Sequence, residues 1–274
     1  MWAKLLLTAL VLLMIAFAIR FDPSRSRSLL GSGSHDGPHL RLLTWNIGYA
    51  ELEDDSRAHN KDLRAVADTI LSNDPDAVAL QELTGPAQLN ILLGYLHKRY
   101  QGAIAPAGDG DRVDAVLVKG GGARFENFNA EKKYAVAATL RLPKSAEIVF
   151  VSAHADAFKA ERRRVFVGDV VDWARGRPSG ALVFIGGDFN FELNAKDESH
   201  VYTDNVKNDS EAYSYLLKYF RDLGREAGYT AIDDRRIDYI FGPRESVALR
   251  RAEVLRDAAV GQMDHWPVLI EVAL

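Results

Sequence analysis

The sequence predicts an α/β protein: two sheets in one domain, with helices on the outside. Three observations carry that expectation. From Leu40 onward, short apolar runs alternate with amphipathic segments of helical period. Several neighbouring apolar runs have no helix between them and should therefore pair antiparallel. The run Ala181–Ile185 lacks a polar face, as a strand buried on both sides does.

The elements follow in order. Residues 40–45 read as a strand. Residues 60–72 place Leu63, Val66, Ala67, Ile70 and Leu71 at helical spacing, and Pro75 closes that helix. Residues 76–80 form a second strand, and Pro86 opens a helix expected to reach Tyr100. Residues 113–118, 134–142 and 148–152 read as strands, and 159–174 as a charged helix. Arg162, Arg163 and Arg164 there read as a solvated face, with one in reach of a substrate phosphate. Strand 181–185 leads into Gly186-Gly187-Asp188-Phe189-Asn190. A helix over 210–223 and strands over 236–241, 248–255 and 268–273 complete the chain.

Composition bounds the rest. The chain has 274 residues, 47% hydrophobic and 26% charged, which suits one large globular domain. The absence of cysteine excludes disulfides, thiolate metal sites and a cysteine nucleophile. Residues 1–20 carry the apolar run Leu5–Ile19 after Lys4, the pattern of a signal peptide or membrane anchor, so the protein is expected to be exported and either tethered or secreted. Residues 21–39, rich in Ser, Gly and Pro, read as a flexible linker, and His35 and His39 as solvated linker residues. Residues 40–274 form the folded domain. They are more acidic than the formal −4 of the chain, because the first 39 residues hold four Lys and Arg against two Asp. Such a surface does not favour non-specific binding to a polyanion.

The chemistry lies where the strands stop. The first ends at Asn46, the second at Glu82, and a later one at His154. The GGDFN strand ends at Asp188 and Asn190, which share a side if the chain stays extended. Asp238 sits inside the apolar run of RRIDYIF, and Asp264-His265 precedes the last strand. Each alone is ordinary turn or surface chemistry. Together they concentrate carboxylate, amide and imidazole groups at strand termini, where α/β sheets bind ligands. Buried groups of this kind must satisfy one another or a ligand.

The motif series WNI, LQE, SAH, GDFN, IDYIF and DHWPV resembles the endonuclease/exonuclease/phosphatase family over roughly residues 40–274. The resemblance implies a four-layered sandwich of two mixed sheets flanked by helices, and a Mg²⁺-dependent phosphoesterase, Mn²⁺ being an alternative ion. It implies Glu82 as the principal metal ligand, with Asn46 close to the same ion and Asp264 adding negative charge on the metal side. It implies His154 and Asn190 on the phosphate oxygens and Asp188 on the attacking water. It places His265 at the phosphate, with Asp238 as its partner.

The implied substrate is a phosphoester: nucleic acid or another phosphodiester first, a lipid headgroup or inositol phosphate as alternatives. The N-terminal segment adds a membrane as partner if it is not cleaved. A reading from a different class is a tethered binding protein whose site has decayed. Gly120-Gly121-Gly122 lacks the strand–loop–helix context of a phosphate cradle. Asp109–Asp114 lacks the full pattern of a calcium loop. The long polar stretch 191–209 is expected to wall the substrate site.

Overall fold

Every apolar run read as a strand forms one. The strands are β1 (His39–Asn46), β2 (Ala77–Leu83), β3 (Tyr100–Ile104), β4 (Val113–Lys119), β5 (Arg124–Ala130) and β6 (Lys133–Arg141). They continue with β7 (Glu147–His154), β8 (Leu182–Asp188), β9 (Phe220–Asp222), β10 (Asp238–Pro243), β11 (Ala248–Val254) and β12 (Val268–Ala273). The helices are α1 (Lys61–Asn73), α2 (Pro86–Tyr95), α3 (Ala160–Arg175) and α4 (Val206–Tyr219). The computed structural model describes residues 38–48, 50, 60–108, 110, 112–141, 147–193, 202–258 and 260–274, all within the unit Pro38–Leu274. Residues 1–37, with the apolar segment and most of the linker, lie outside the described residues. So do Asp109, Asp111, Lys196 and His200. Among the described residues no helix is long and apolar enough to cross a membrane.

The strands make two mixed sheets of six, in the orders β11-β12-β1-β2-β4-β3 and β5-β6-β7-β8-β10-β9. At the centre of each lies one parallel pair, β1 with β2 and β7 with β8. Parallel neighbours end together, so Asn46 and Glu82 finish at one end of the first sheet, and His154 and Asp188 at one end of the second. β10 runs antiparallel to β8 with Asp238 opposite Asp188, so it begins where β8 stops.

Three apolar layers hold this sandwich. In β7, Ile148 and Phe150 face the other sheet, while Val149 and Val151 pack with Phe166 and Val170 of α3. In β1, Leu40 and Leu42 lie between the sheets, while Leu43 and Trp45 pack with Leu63, Val66 and Ile70 of α1. Both faces of the central strands are thus dry, which is why their sequences read as unbroken apolar runs. Burying each such Leu, Ile or Phe contributes on the order of 1.5–3 kcal/mol.

Three strands escaped the sequence reading. The helix opening at Pro86 stops at Tyr95, because His97 and Lys98 adopt left-handed φ of 54° and 59°; Tyr100 then begins β3. β5 is an edge strand whose residues are mostly exposed, so it carries no apolar period. α4 starts earlier than expected because the Asn205 side chain accepts the Asn208 N–H at 3.1 Å, and it ends earlier because Phe220 turns extended into β9. His39, assigned to the linker, opens β1.

The arginine face of α3 also differs from expectation. Arg163 is fully buried. It donates to both Asp209 oxygens at 2.7 and 2.8 Å and to the Asp156 carbonyl at 2.9 Å, and it also contacts the Thr203 hydroxyl. Its place on the inner face of α3, beside Phe166 and Val167, makes it an anchor between helices.

Candidate active site

Every side chain predicted for the site comes from the strand ends on one edge of the sandwich. Asn46 is central. Its Nδ2 donates to Glu82 Oε1 at 3.1 Å and to Asp188 Oδ2 at 3.0 Å, joining the two sheets. Its Oδ1 accepts the Gly48 N–H at 2.9 Å. Asn46 therefore reaches the cluster through its amide nitrogen.

Glu82 owes its position to a distortion of β2. Regular alternation would turn it, like Val78 and Leu80, toward the helices. Instead the register slips between Leu80 and Leu83, and Glu82 takes a left-handed φ of 62°. Such bulges re-aim single side chains beside functional sites, at a backbone cost of order 1–3 kcal/mol. A Cβ at Gly48 would overlap the Glu82 carboxylate and push it from this position. Gly187 is constrained more strictly, since a Cβ would run into the backbone carbonyl of Ala153 on the adjacent strand.

The neighbouring residues of LQE and SAH do different work. Gln81 lies between the sheets and donates to Ser152 Oγ at 2.9 Å, and Ser152 donates to the Leu80 carbonyl at 3.1 Å. This buried polar link sets β2 against β7 just behind the cleft.

Asp188 Oδ2 sits between two imidazoles, 3.7 Å from His154 Nε2 and 3.8 Å from His265 Nε2. Asn190 arrives differently from expectation. The strand stops at Asp188, and Asn190 takes a left-handed φ of 51° while its N–H donates to Asp188 Oδ1 at 2.9 Å. The intervening Phe189 is fully buried, edge-on to Tyr239 and Phe241. His265 Nδ1 lies 2.8 Å from Asp238 Oδ2. Thr230 Oγ1 fixes that aspartate by accepting the N–H groups of Ile237 and Asp238, and Trp45 Nε1 donates to the His265 carbonyl at 3.1 Å. Asp264 stands beside this pair, its Oδ1 3.9 Å from His265 Nε2.

These environments push the protonation states apart. Burial would lower the His265 pKa, but the charge and hydrogen bond of Asp238, aided by Asp188 and Asp264, raise it to about 10. His154 goes the other way: burial, with help from Lys133 and His265, holds it well below its usual value. Burial first, then the charge of Asp238, pushes Asp188 up to about 7 against the opposing pull of His265 and Asn46. At neutral pH the cleft holds one cationic ring, one neutral ring and a carboxyl group poised to gain or lose a proton.

Sequence reasoning missed Asp114. It is buried in β4 with Oδ1 4.0 Å from His154 Nδ1, and burial raises it to about 8. The signal was present: a lone carboxylate inside the apolar run Val113–Val118, as with Asp238. Lys133 was also missed; its ammonium donates to the Ala155 carbonyl at 3.2 Å, next to His154.

Two groups of ligand atoms converge within 4.8 Å: Glu82 with His154 and Asp188, and Asp188 with Asp238 and His265. The second is spoken for by its internal hydrogen bonds. The first offers carboxylate oxygens from both sheets, with no thiolate anywhere in the chain, a donor set that fits a hard divalent cation. Asp264 belongs to neither group.

The sequence model of the endonuclease/exonuclease/phosphatase family matches residues 43–261, spanning every residue of this cluster except the closing Asp264-His265 pair. The chain belongs to the endonuclease/exonuclease/phosphatase family. Solved structures superpose over most of the chain. Humanised D. rerio TDP2 carrying 14 mutations is 15% identical with a TM-score of 0.67, covering 86% of this chain and 99% of that one. The human nocturnin catalytic domain with bound sulfate is 19% identical with a TM-score of 0.63, covering 86% and 93%. A Bacteroides thetaiotaomicron mannosyl-6-phosphatase is 18% identical with a TM-score of 0.61, covering 86% and 100%. At such identities the likeness shows the shared sandwich. No curated protein matches the chain. As a member of the endonuclease/exonuclease/phosphatase family with the cluster in place, the protein is a metal-dependent phosphoric ester hydrolase.

Proposed function

We propose that the enzyme hydrolyses a phosphodiester, in the manner of a nuclease or phosphodiesterase, by in-line attack of water on phosphorus. The observation that carries this reading is the placement of the Asp188 carboxylate between two imidazoles, 3.7 Å from His154 Nε2 and 3.8 Å from Nε2 of the Asp238-paired His265. Asp188 takes the proton of the attacking water as its oxygen bonds to phosphorus. His265 gives its Nε2 proton to the departing oxygen as that bond breaks, and Asp238 keeps the ring oriented. His154, with Asp114 behind it, and Asn190 hold the non-bridging oxygens.

Glu82 is the residue that would hold Mg²⁺, with Asn46 steadying its carboxylate and Asp264 adding negative field at the rim. The ion supplies positive charge against the phosphoryl oxygens. Export, with residues 1–20 tethering or cleaved, is proposed on the sequence alone.

The test is a panel of plasmid DNA, RNA, sphingomyelin and bis(p-nitrophenyl) phosphate. Hydrolysis of a diester is expected with Mg²⁺, lost in EDTA and restored by Mg²⁺ or Mn²⁺. Hydrolysis that persists in EDTA, or no hydrolysis of any diester, would remove the reading.

The pH profile gives a second check. His265 stays protonated up to about pH 10, so the rate should hold through the mildly alkaline range. Asp238→Asn removes the group that does most to raise it. The alkaline limb of kcat/KM should then move down by roughly one to three pH units. An unmoved limb would show that His265 is not the acid.

A further inference from the structure

Five large apolar side chains are strongly exposed among the described residues, and all but Val165 lie on loops at the catalytic edge of the second sheet. Phe158, 74% exposed, follows His154 on the loop leaving β7. Tyr202 and Ile232, 42% and 46% exposed, lie on the loops between β8 and β10. One exposed apolar side chain is ordinary, but scatter over the molecule would not collect four of five at one edge.

The turns that present these side chains are held in place, and so is the Tyr202 ring. Asp156 Oδ1 accepts the N–H groups of Phe158 and Lys159 at 2.9 and 2.8 Å, fixing the turn that presents Phe158. Tyr202 lies flat on the Arg235 guanidinium, 4.0 Å from ring centroid to carbon, and its hydroxyl donates to Asp233 at 2.7 Å. The Ile232 N–H donates to the Asp264 carbonyl at 2.9 Å, which ties this turn to the residue before His265. The Phe158 and Tyr202 loops are joined in turn, since Asp204 accepts the Ala160 N–H at 2.9 Å.

We propose that this rim, with Phe158 on one side and Tyr202 and Ile232 on the other, receives a planar aromatic group carried by the substrate phosphate, such as a nucleobase. The inference rests on the phosphodiesterase reading and names the substrate class for that site. His265, which faces the leaving oxygen in that reading, follows Asp264, whose carbonyl accepts the Ile232 N–H, so an organic group on that oxygen extends toward this rim. A rigid tyrosine face backed by a guanidinium suits stacking on a ring. A lipid surface fits less well: Lys159, Asp233 and Asp234 interrupt the apolar residues, and the chain carries a net charge of −4.

The test is binding to the full chain with Mg²⁺ by titration calorimetry. It compares AMP, a monoester the proposed diesterase leaves intact, with ribose 5-phosphate, which shares the sugar phosphate and lacks the base. AMP should bind about tenfold more tightly. Phe158→Ala and Tyr202→Ala should each erase most of that preference without changing ribose 5-phosphate affinity, Phe158→Trp should keep it, and Val165→Ser should do nothing. For a dinucleotide substrate, the same alanine variants should raise KM and leave kcat. Equal affinity for the two ligands, or a preference indifferent to the alanine variants, would overturn the inference. So would sedimentation with phosphatidylcholine–sphingomyelin vesicles that Phe158→Ala abolishes, which would assign the rim to lipid. Binding requires no turnover, so a failure here is distinct from a failure of the hydrolysis panel.

Discussion

Asp188→Ala is expected to lower kcat by roughly 10²–10⁴-fold, the range for losing a positioned general base, while the fold stays intact. The same residue should weigh on stability in metal-free solution. Folding raises its pKa from an ordinary 3.8 to about 7, so the folded state keeps a proton that the unfolded chain releases. Below pH 3.8 both states are protonated and the group costs nothing. The cost grows as pH rises from about 4 to 7 and is complete above that. In EDTA, Asp188→Asn should therefore melt at a higher temperature than wild type at pH 8, with the gap closing at pH 4. An inactive, more stable variant is what a carboxylate placed for chemistry produces. Near-normal kcat in Asp188→Ala would end the assignment of Asp188 as the base.

Arg163→Ala should cost about 3–5 kcal/mol of folding stability, because it strands the fully buried Asp209 without its partner. The double variant Arg163→Met with Asp209→Leu should recover much of that loss, since a matched apolar pair leaves no orphaned charge. Guanidinium denaturation measures both. The pair reaches beyond α3 and α4: Asp209 also accepts the Glu192 N–H at 3.2 Å, and Arg163 holds two loops, through Asp156 and through Thr203. The single variant should consequently loosen the chain just past Asn190 as well. A cost below about 1 kcal/mol would show the pair to be dispensable.

Arg163 marks where reading by pattern stops. Three consecutive arginines on a charged helix read as solvated, and nothing local separates the middle one. It is buried because its face of α3 meets α4 and because Asp209, 46 positions later in the chain, is there to receive it. Asp114 is the opposite lesson. It carries the same mark as Asp238, a carboxylate inside an apolar run, but in sequence it stands only at the end of an incomplete calcium-loop pattern. Its partner, His154, is a neighbour only after β4 and β7 pack face to face. Asn190 reached its expected place by an unexpected path, a left-handed turn at the end of β8 rather than a continued strand.

The central strands and the polar groups at their ends were legible in the residues alone. Two-faced burial writes continuous apolar runs, and a buried polar group is too costly to occur there without a partner. The family was legible there too, because the same groups recur in fixed order along the chain. Which ring is charged and which is neutral, and the joining of Glu82 to Asp188 by Asn46, follow from the folded arrangement. It also decided that a bulge turns Glu82 into the cleft and that the exposed aromatics gather at one edge. A pKa depends on the burial and charges around a group in space, and those come from strands far apart in sequence. No local pattern of residues encodes them.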